Sequence, residues 1–397
     1  MATGSAAFVP CSGPTWRDPF GMYEALRDHD PVHHVVDGDY WVLSRHADVF
    51  DAARDPATFS SANGLTFERD EIERLGLADA RPLVMLDPPE HTAFRRLVAR
   101  GFTPRHVAEI EPAVRAFVVE RIERLRAAGS GDIVAELFKP LPSMVVAHYL
   151  GVPDEDHARF DGWTQAIVAA NALGDPLGAA NAVGDLFGYF TELIERRRRE
   201  PGDDTISHLV SFDPDADPVD LLPILGFAFT MVTGGNDTTT GLLGGAAELL
   251  TERPDQRALL LERPYLIADA VDELLRLVSP VQGLARTTTR NVVLHGRTIP
   301  AGHKVLLLYG SANRDPRAYG PDVDELDVTR RPERILTFSY GPHHCLGAAA
   351  ARLQGRVALE ELLARTPHFR VDTSVGDYAP GSFVRRLQSL PFEADAR

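Results

Sequence analysis

The stretch Phe338-Ser-Tyr-Gly-Pro-His-His-Cys-Leu-Gly347 places Cys345 in a turn marked by two glycines, directly before a strong helical pattern over 348–363. A helix N-terminus and the backbone N–H groups near it favour a thiolate over a thiol. Gly341 and Gly347 can adopt backbone conformations that other residues avoid, which lets the chain fold back under a flat ligand. Because a thiolate in this setting can be the axial ligand of a haem iron, we predict a haem–thiolate site at Cys345.

Two other interpretations of this cysteine stay open on these residues alone. Cys345 can be a buried structural cysteine, as most lone intracellular cysteines are. It can also join His343 and His344 in a transition-metal site, although adjacent residues rarely converge on one small ion and no second His/Cys cluster completes the ligand set. The turn and its glycines favour the haem–thiolate interpretation.

The composition is that of an ordinary globular protein. Of the 397 residues, 44% are hydrophobic and 25% are charged, and the formal net charge of −16 disfavours nucleic acid as a partner. The two cysteines lie far apart, which argues against a disulfide framework and suits a reducing cytosol. We see neither a signal peptide nor an apolar run long enough to span a bilayer, so we expect a soluble cytoplasmic protein with no membrane partner.

The hydrophobic periodicity predicts a mainly α chain with small β-sheets, an α+β protein, in one domain over residues 1–397. Predicted helices cover 110–127, 183–199, 222–250, 264–277 and 348–363. Predicted strands cover 40–44 and 292–295, with a turn between strands at 299–302. Internal repeats and changes of composition that would divide the chain are absent from the sequence.

Five segments resemble motifs of the cytochrome P-450 monooxygenases, in the order in which that family has them. The Cys345 segment resembles the haem-binding signature F-x-x-G-x-[HR]-x-C-x-G. Residues 234–239 (Gly-Gly-Asn-Asp-Thr-Thr) resemble the oxygen-binding helix motif, and residues 273–276 resemble the E-x-x-R motif. Residues 326–330 resemble F-D-x-x-R, with leucine in place of the aromatic residue. Asp87-Pro-Pro-Glu-His91, continuing to Arg95, resembles the soluble bacterial members. The order of the five motifs identifies the chain as a member of the family.

The resemblance implies a cytochrome P-450 fold with haem b (iron protoporphyrin IX) buried between the long oxygen-binding helix and the helix after the thiolate turn. It makes Cys345 the axial iron ligand. Arginine suits a propionate because its planar guanidinium meets a carboxylate with two hydrogen bonds. The residues that match family propionate ligands are His91, Arg95, Arg286 and His343. For the first two, ordinary helix-surface charge is the alternative.

Within the long helix, the resemblance assigns proton delivery to Asp237 and Thr238. A threonine hydroxyl can donate toward bound oxygen or back to a helix carbonyl, and a carboxylate can relay protons from solvent. Gly234 and Gly235 each weaken a helix by roughly 1 kcal/mol relative to alanine, which we interpret as the cost of a local opening above the iron. Packing through small residues, with Asp237 exposed, is the alternative.

A third group of residues is predicted to be structural. Glu273, Arg276 and Arg330 are one carboxylate and two guanidinium groups, which can form a buried bidentate network. In the family this network fixes the core under the haem and takes no part in the reaction.

Apolar residues of the variable segments are candidates for the substrate pocket, and they predict a hydrophobic substrate. The candidates are Met85, Phe227, Met231, Gly234, Val281, Leu284, Phe383 and Val384. Each of them can equally be a plain core residue. The alanine- and glycine-rich region 162–183 resembles by position the mobile lid over the family's substrate channel.

The resemblance implies a monooxygenase that inserts one atom of O2 into a C–H or C=C bond of a hydrophobic small molecule. Electrons would come from a ferredoxin with its reductase or from a flavodoxin-type donor, docked on a basic surface. The candidate docking residues are Arg95, Arg96, Arg100, Arg105, His106, Arg352 and Arg356, which can equally be solvated helix faces. The alternative functions are a peroxygenase that uses hydrogen peroxide, a haem sensor or binding protein, and a colourless protein in which Cys345 is structural.

Overall fold

The structure, a computed structural model, describes residues 7–74, 81–173, 176–210 and 220–395. In chain order, the α-helices are α1 (Phe20–His29), α2 (His46–Arg54), α3 (Glu71–Arg74), α4 (Glu90–Val98), α5 (Pro104–Glu109), α6 (Glu111–Ala128), α7 (Pro140–Tyr149), α8 (His157–Leu173), α9 (Ala180–Arg199), α10 (Thr205–Val210), α11 (Leu221–Glu252), α12 (Pro254–Glu262), α13 (Ile267–Val278), α14 (Tyr309–Ala312), α15 (Pro316–Tyr319) and α16 (Ala348–Arg365).

The strands are short and form small sheets. They are β1 (Val32–Val35), β2 (Tyr40–Leu43), β3 (Phe59–Ser60), β4 (Ser130–Asp132), β5 (Leu284–Thr288), β6 (Val292–Leu294), β7 (Arg297–Ile299), β8 (Lys304–Leu307), β9 (Arg370–Val371), β10 (Asp377–Tyr378), β11 (Leu387–Ser389) and β12 (Pro391–Glu393). The largest sheet has the order β1-β2-β8-β5-β3, in which only β2 and β8 run parallel. In a second sheet β12 lies between β4 and β9, so that Phe392 pairs with Gly131.

Helix α11 is the central element, because it takes part in two hydrophobic cores. Its N-terminal half is apolar on every side and packs with α8 and α9, where Ile224 and Val232 are fully buried. Its C-terminal half packs with α13 and α16, where Leu250 is fully buried. A helix that is apolar all round is stable only when other elements surround it, and these two cores supply that environment.

The predicted mainly helical class with small sheets is confirmed, and the predicted elements differ from the observed ones mostly at their ends. The helix predicted over 264–277 starts with a 3₁₀ turn, Pro264–Leu266, and the α-helix follows from Ile267. The predicted turn at 299–302 connects β7 to β8. The region 162–183, predicted to be a lid, lies partly outside the described residues, at 174–175.

Candidate active site

Cys345 lies in a loop that is held closed by the backbone. Its N–H donates to the carbonyl oxygen of Phe338 at 2.9 Å, and a single 3₁₀ turn, Gly341–His343, fills the loop. Gly341 has a φ of 70°, and a Cβ added there would lie 2.8 Å from the carbonyl oxygen of Ala53 in α2. Both the left-handed backbone and the close approach to α2 therefore require glycine at this position.

The Cys345 side chain is exposed and borders a cavity of about 390 Å³. The protein atoms around the sulfur raise the pKa of the thiol, while the backbone N–H of Gly347 and the charges of Arg95 and Arg352 offset part of that rise. Iron bound to the sulfur would remove the proton outright. Gly347 borders the same cavity, and a Cβ added there would meet no protein atom within 4 Å, so the space beside it can take a flat group.

Six of the eight candidate pocket residues line this cavity: Met231, Gly234, Val281, Leu284, Phe383 and Val384. Phe227 and Met85 are not among its lining residues in the described part of the chain. Phe227 is 2% exposed and its ring packs edge-to-face against Phe94, and Met85 is 7% exposed in the 3₁₀ turn Leu83–Met85. For these two residues, the core interpretation fits the structure and the pocket interpretation does not.

Sequence reasoning missed several residues that line the cavity. They include Leu65, Val84, Val145, Thr230, Thr233, Thr239 and Leu242. Val84 is the middle residue of the 3₁₀ turn, whose other two side chains are buried. Because a single such turn sends successive side chains in different directions, only the three-dimensional arrangement distinguishes Val84 from its neighbours.

The four candidate propionate ligands cluster in the structure. The ring centroids of His91 and His343 lie 4.2 Å apart. Burial, reinforced by the charges of Arg286, His91 and Arg95, lowers the pKa of His343 to about 3. Burial and then the charge of Arg95 also lower the pKa of His91.

Within the described residues, these four groups lack acidic partners. His91 is 1% exposed, yet neither of its ring nitrogens has a hydrogen-bond partner in that part of the chain. Among the described residues, no ion pair joins any of the four groups to a carboxylate, although Arg286 is 3% exposed. Since buried polar groups are normally satisfied, the cluster fits a ligand that carries carboxylates, as haem does.

Thr238 and Asp237 lie on an α11 that runs unbroken from Leu221 to Glu252, so the expected local opening of the helix is wrong for this structure. The Thr238 hydroxyl donates to the carbonyl oxygen of Gly234 at 2.8 Å. Both glycines border the cavity, but a side chain would meet different surroundings at each. A Cβ on Gly235 would lie 2.8 Å from Cγ2 of Val146 in α7, whereas a Cβ on Gly234 would meet no protein atom within 4 Å.

Asp237 is paired with a residue that the motifs did not reveal. Its Oδ1 accepts from Nε of Arg386 at 2.5 Å, and Arg386 is 5% exposed. Burial raises the pKa of the Asp237 carboxyl, and Arg386 and then Lys139 oppose that rise. Asp237 is therefore not the freely exposed carboxylate that the packing interpretation of this motif expected.

The predicted network of Glu273, Arg276 and Arg330 is present as a set of contacts. Arg276 donates through Nε and Nη2 to the two carboxylate oxygens of Glu273 at 2.7 and 2.8 Å, and both residues are fully buried. Nε of Arg330 lies 3.2 Å from Oε1 of Glu273. Nη1 of Arg276 also donates to the carbonyl oxygens of Asn313 and Val323.

Much of the predicted basic surface is neutralised by neighbouring acids. Arg105 pairs with Glu109 at 2.7 Å, Arg352 with Asp272 at 2.7 Å, and Arg356 with Glu111 at 2.5 Å. Nη2 of Arg95 donates to the carbonyl oxygen of His344 in the loop 338–345, which carries Cys345 and is called the thiolate loop below. Nε2 of His106 lies 3.7 Å from Asp203, and Arg96 is exposed. Among these groups, the exposed Arg96 remains available to an acidic partner.

None of the helices in the described part of the chain has the length and hydropathy that crossing a membrane requires.

Comparisons with known proteins agree with this architecture. A family model described as Cytochrome P450 matches residues 247–380. The chain is 66% identical over 396 residues to Cytochrome P450 130 of Mycobacterium tuberculosis, with 98% of each chain covered. It is 36% identical to the vitamin D(3) 25-hydroxylase of Pseudonocardia autotrophica, over 98% of this chain and 97% of the relative.

A solved structure shares the whole fold. The chain superimposes on CYP109E1 of Bacillus megaterium, in a crystal structure with testosterone, with a TM-score of 0.84 and 30% identity, over 96% of this chain and 100% of the other. Likeness over nearly the full length, in both sequence and structure, settles the classification. The chain belongs to the cytochrome P450 family of haem-thiolate monooxygenases.

Proposed function

We propose that this enzyme hydroxylates or epoxidises a hydrophobic small molecule, inserting one atom of O2 into a C–H or C=C bond. The observation that carries the proposal is the cavity itself. It is bordered both by the exposed Cys345 and by the turn of α11 that contains Thr238. Its lining is largely apolar, so it suits a substrate with few polar groups. The names of two similar proteins, a vitamin D(3) hydroxylase and a P450 crystallised with testosterone, support a rigid apolar substrate of steroid-like size.

Haem b is the proposed cofactor, and it supplies one-electron and O2 chemistry when bound. In this proposal Cys345 holds the iron, and the side chains of His91, Arg95, Arg286 and His343 hold the propionates. The cluster supports this assignment because none of these four side chains pairs with a carboxylate of the described residues. We propose one domain over residues 1–397, and the sparse, separated cysteines support a cytoplasmic location.

Proton delivery is proposed to run through Asp237 and Thr238. The Thr238 hydroxyl holds its proton toward the carbonyl oxygen of Gly234, and a rotation about χ1 releases it toward the cavity. Burial raises the pKa of Asp237, which favours a protonated carboxyl, while Arg386 favours the carboxylate. Asp237 can therefore take up a proton when it leaves Arg386 and return to the ion pair after giving the proton up.

The electron donor is proposed to be a small acidic protein, a ferredoxin with its reductase or a flavodoxin-type protein. Arg96 on α4 supports a docking site close to the thiolate loop, because Arg95 of the same helix turn contacts that loop. Charge attraction at such a site would raise the rate of association and would weaken with salt.

The first experiment measures the carbon monoxide difference spectrum of the reduced protein, followed by substrate screening through the spin-state shift. A Soret band at the strongly red-shifted thiolate position is expected for the wild type and is expected to be lost in Cys345→Ser. Wild-type protein that folds but takes up no haem would refute the proposal. Turnover with hydrogen peroxide alone would favour a peroxygenase, and haem binding without turnover of any substrate would favour a sensor.

A second experiment tests the proton path with a matched pair of variants. Thr238→Ala should consume O2 without forming the corresponding amount of product. Thr230→Ala is the control, because the Thr230 hydroxyl also borders the cavity and donates back to a helix carbonyl, that of Gly226, at 2.8 Å. Equal coupling of O2 consumption to product in both variants would contradict a role for Thr238.

A further inference from the structure

We propose that the chain carries a Zn²⁺ site outside the haem cavity, formed by His106 and Glu109 of α5 together with Asp203 and His208. Asp203 lies two residues before the start of α10, and His208 lies within that helix. These residue types are typical zinc ligands. None of the four lines the cavity in the described part of the chain, so the site is independent of the proposed haem chemistry.

Three of the proposed ligands already lie close together, and the fourth, His208, lies close to one of them, Asp203. The ligand atoms of His106, Glu109 and Asp203 lie within 4.8 Å of one another. Oδ1 of Asp203 lies 3.7 Å from Nε2 of His106 and 3.4 Å from Nε2 of His208. Zinc bonds of about 2.0–2.1 Å in tetrahedral geometry separate neighbouring ligand atoms by roughly 3.3 Å. Two of the required separations are therefore close to their final values before any ion binds.

The backbone selects the form of His106 that binds metal. Its Nδ1 lies 3.0 Å from the carbonyl oxygen of Arg100 and 3.1 Å from Oγ1 of Thr103. Because a carbonyl oxygen only accepts, Nδ1 carries a proton, and in the neutral imidazole the lone pair is then on Nε2, the nitrogen 3.7 Å from Asp203. A hydrogen bond from the second ring nitrogen to a carbonyl is the usual way in which proteins orient a metal-binding histidine.

Neighbouring contacts fix the segment that supplies Asp203. The next residue, Asp204, accepts from Nε of Arg197 at 2.7 Å and from the backbone N–H of Ser207 at 2.8 Å, which caps α10. Asp203 therefore has an anchored backbone although its side chain is 73% exposed. His208 lies one turn into the same helix, and its Nδ1 is buried without a hydrogen-bond partner.

Glu109 completes the ligand set by a change of rotamer. It is exposed and accepts from Nε of Arg105 at 2.7 Å, an ion pair of small net stability that a divalent cation can replace. Two carboxylates and two neutral imidazoles would neutralise the charge of Zn²⁺. The bound ion would join α5 to α10, and α10 packs against α4, the helix that carries His91 and Arg95.

The test is isothermal titration calorimetry of the haem-loaded protein with ZnCl2. We expect one zinc per chain for the wild type, and binding at least ~10-fold weaker in His106→Ala and in His208→Ala, since even partners outside the ligand shell change affinity by that factor. The control is His295→Ala, which removes a surface histidine paired with a single acid, Asp48, at 2.8 Å. Carbon monoxide spectra equal to the wild type would show that the variants are folded.

Two results would overturn the proposal. The first is that His106→Ala and His208→Ala both bind zinc as tightly as the wild type does. That result would mean that Asp203 only pairs with protonated imidazoles. The other is anomalous scattering at the zinc edge, from crystals grown with ZnCl2, that places the ion elsewhere. A zinc peak between His106 and Asp203 would support the proposal.

Discussion

Two polar clusters in this protein each contain two arginine side chains and differ in whether the chain supplies a carboxylate partner. In the cluster of Glu273, Arg276 and Arg330, the carboxylate accepts from one guanidinium and lies close to the other, and backbone carbonyls accept from Nη1 of Arg276 and from Nη1 and Nη2 of Arg330. In the cluster of His91, Arg95, Arg286 and His343, no carboxylate of the described chain forms an ion pair.

The difference fits the proposal that the first cluster is structural and the second binds a ligand. A buried charge is stable only when it is paired or hydrogen-bonded, and the Glu273 network supplies a carboxylate from within the chain. In the second cluster the pKa values of both histidines are lowered, and neither ring nitrogen of His91 has a partner among the described residues. We therefore infer that an anionic ligand completes that cluster.

The largest expected effect comes from breaking the complete network. Arg276→Ala leaves Glu273 charged and fully buried, which should lower the free energy of unfolding by about 3–5 kcal/mol and prevent accumulation of folded protein even when haem is supplied. Urea unfolding and the yield of soluble protein measure this. The control is Arg331→Ala, which removes a 78% exposed partner of Asp269 and should cost about 0–1 kcal/mol. Equal losses in the two variants would contradict the comparison.

Removing a member of the incomplete cluster should act on the ligand and spare the fold. Arg286→Leu should weaken haem binding by about 1.5–3 kcal/mol, roughly 10- to 150-fold, the usual contribution of a charge-assisted hydrogen bond. The apoprotein of this variant should have a free energy of unfolding equal to or higher than that of the wild-type apoprotein, because one of the cluster's two like-charged guanidinium groups is removed. Haem titration and urea unfolding of the apoprotein separate these effects, with exposed Arg290→Leu as control. A destabilised apoprotein with unchanged haem affinity would reverse the assignment.

The incomplete cluster should also make the apoprotein sensitive to acid. Burial lowers the pKa of His91 below its ordinary value of about 6.5, so below that pH the unfolded chain binds a proton that the folded chain does not. Stability should therefore fall on acidification, by at most about 1.4 kcal/mol per pH unit. His91→Gln should flatten this slope between about pH 7 and about pH 5, whereas exposed His368→Gln should not. Unfolding curves of the apoproteins across this range provide the measurement.

The smallest effect is expected at the edge of the complete network. Arg330→Ala leaves the bidentate pair of Glu273 and Arg276 intact, and the Arg330 side chain is 17% exposed, so water can replace part of what is lost. We expect a loss of about 1 kcal/mol in the free energy of unfolding, measured as for Arg276→Ala. A loss as large as that of Arg276→Ala would mean that the three residues act as one unit.

The fold class and the thiolate loop could be predicted because their determinants are contiguous. Periodicity along α6, α11 and α16 places these helices to within a few residues, and the spacing of Gly341 and Cys345 is read directly from one loop. The left-handed φ of Gly341 explains why a glycine occurs there at all.

The partner of Asp237 and the different surroundings of neighbouring α11 residues could not be predicted in the same way. Arg386 reaches Asp237 from a distant segment, and no periodicity connects the two. Gly234 and Gly235 look alike in the sequence and both border the cavity, but only at Gly235 would a Cβ lie close to Val146. Phe227 and Met231 lie about one helical turn apart on α11, but Phe227 is buried in the core and Met231 borders the cavity. The helices packed against α11 decide this difference.

The pairing of Asp237 with Arg386, together with the strand pairing of β4 with β12, has a consequence for protein synthesis. A ribosome delivers α11 and β4 well before residues 386–393, so the nascent chain holds a carboxylate without its partner and a strand without its neighbour. Domains generally fold as units during translation. The helices on the N-terminal side can associate early, but Asp237 gains its partner, and the cavity gains the wall that Phe383 and Val384 supply, only when the late segment has left the ribosomal tunnel and docked.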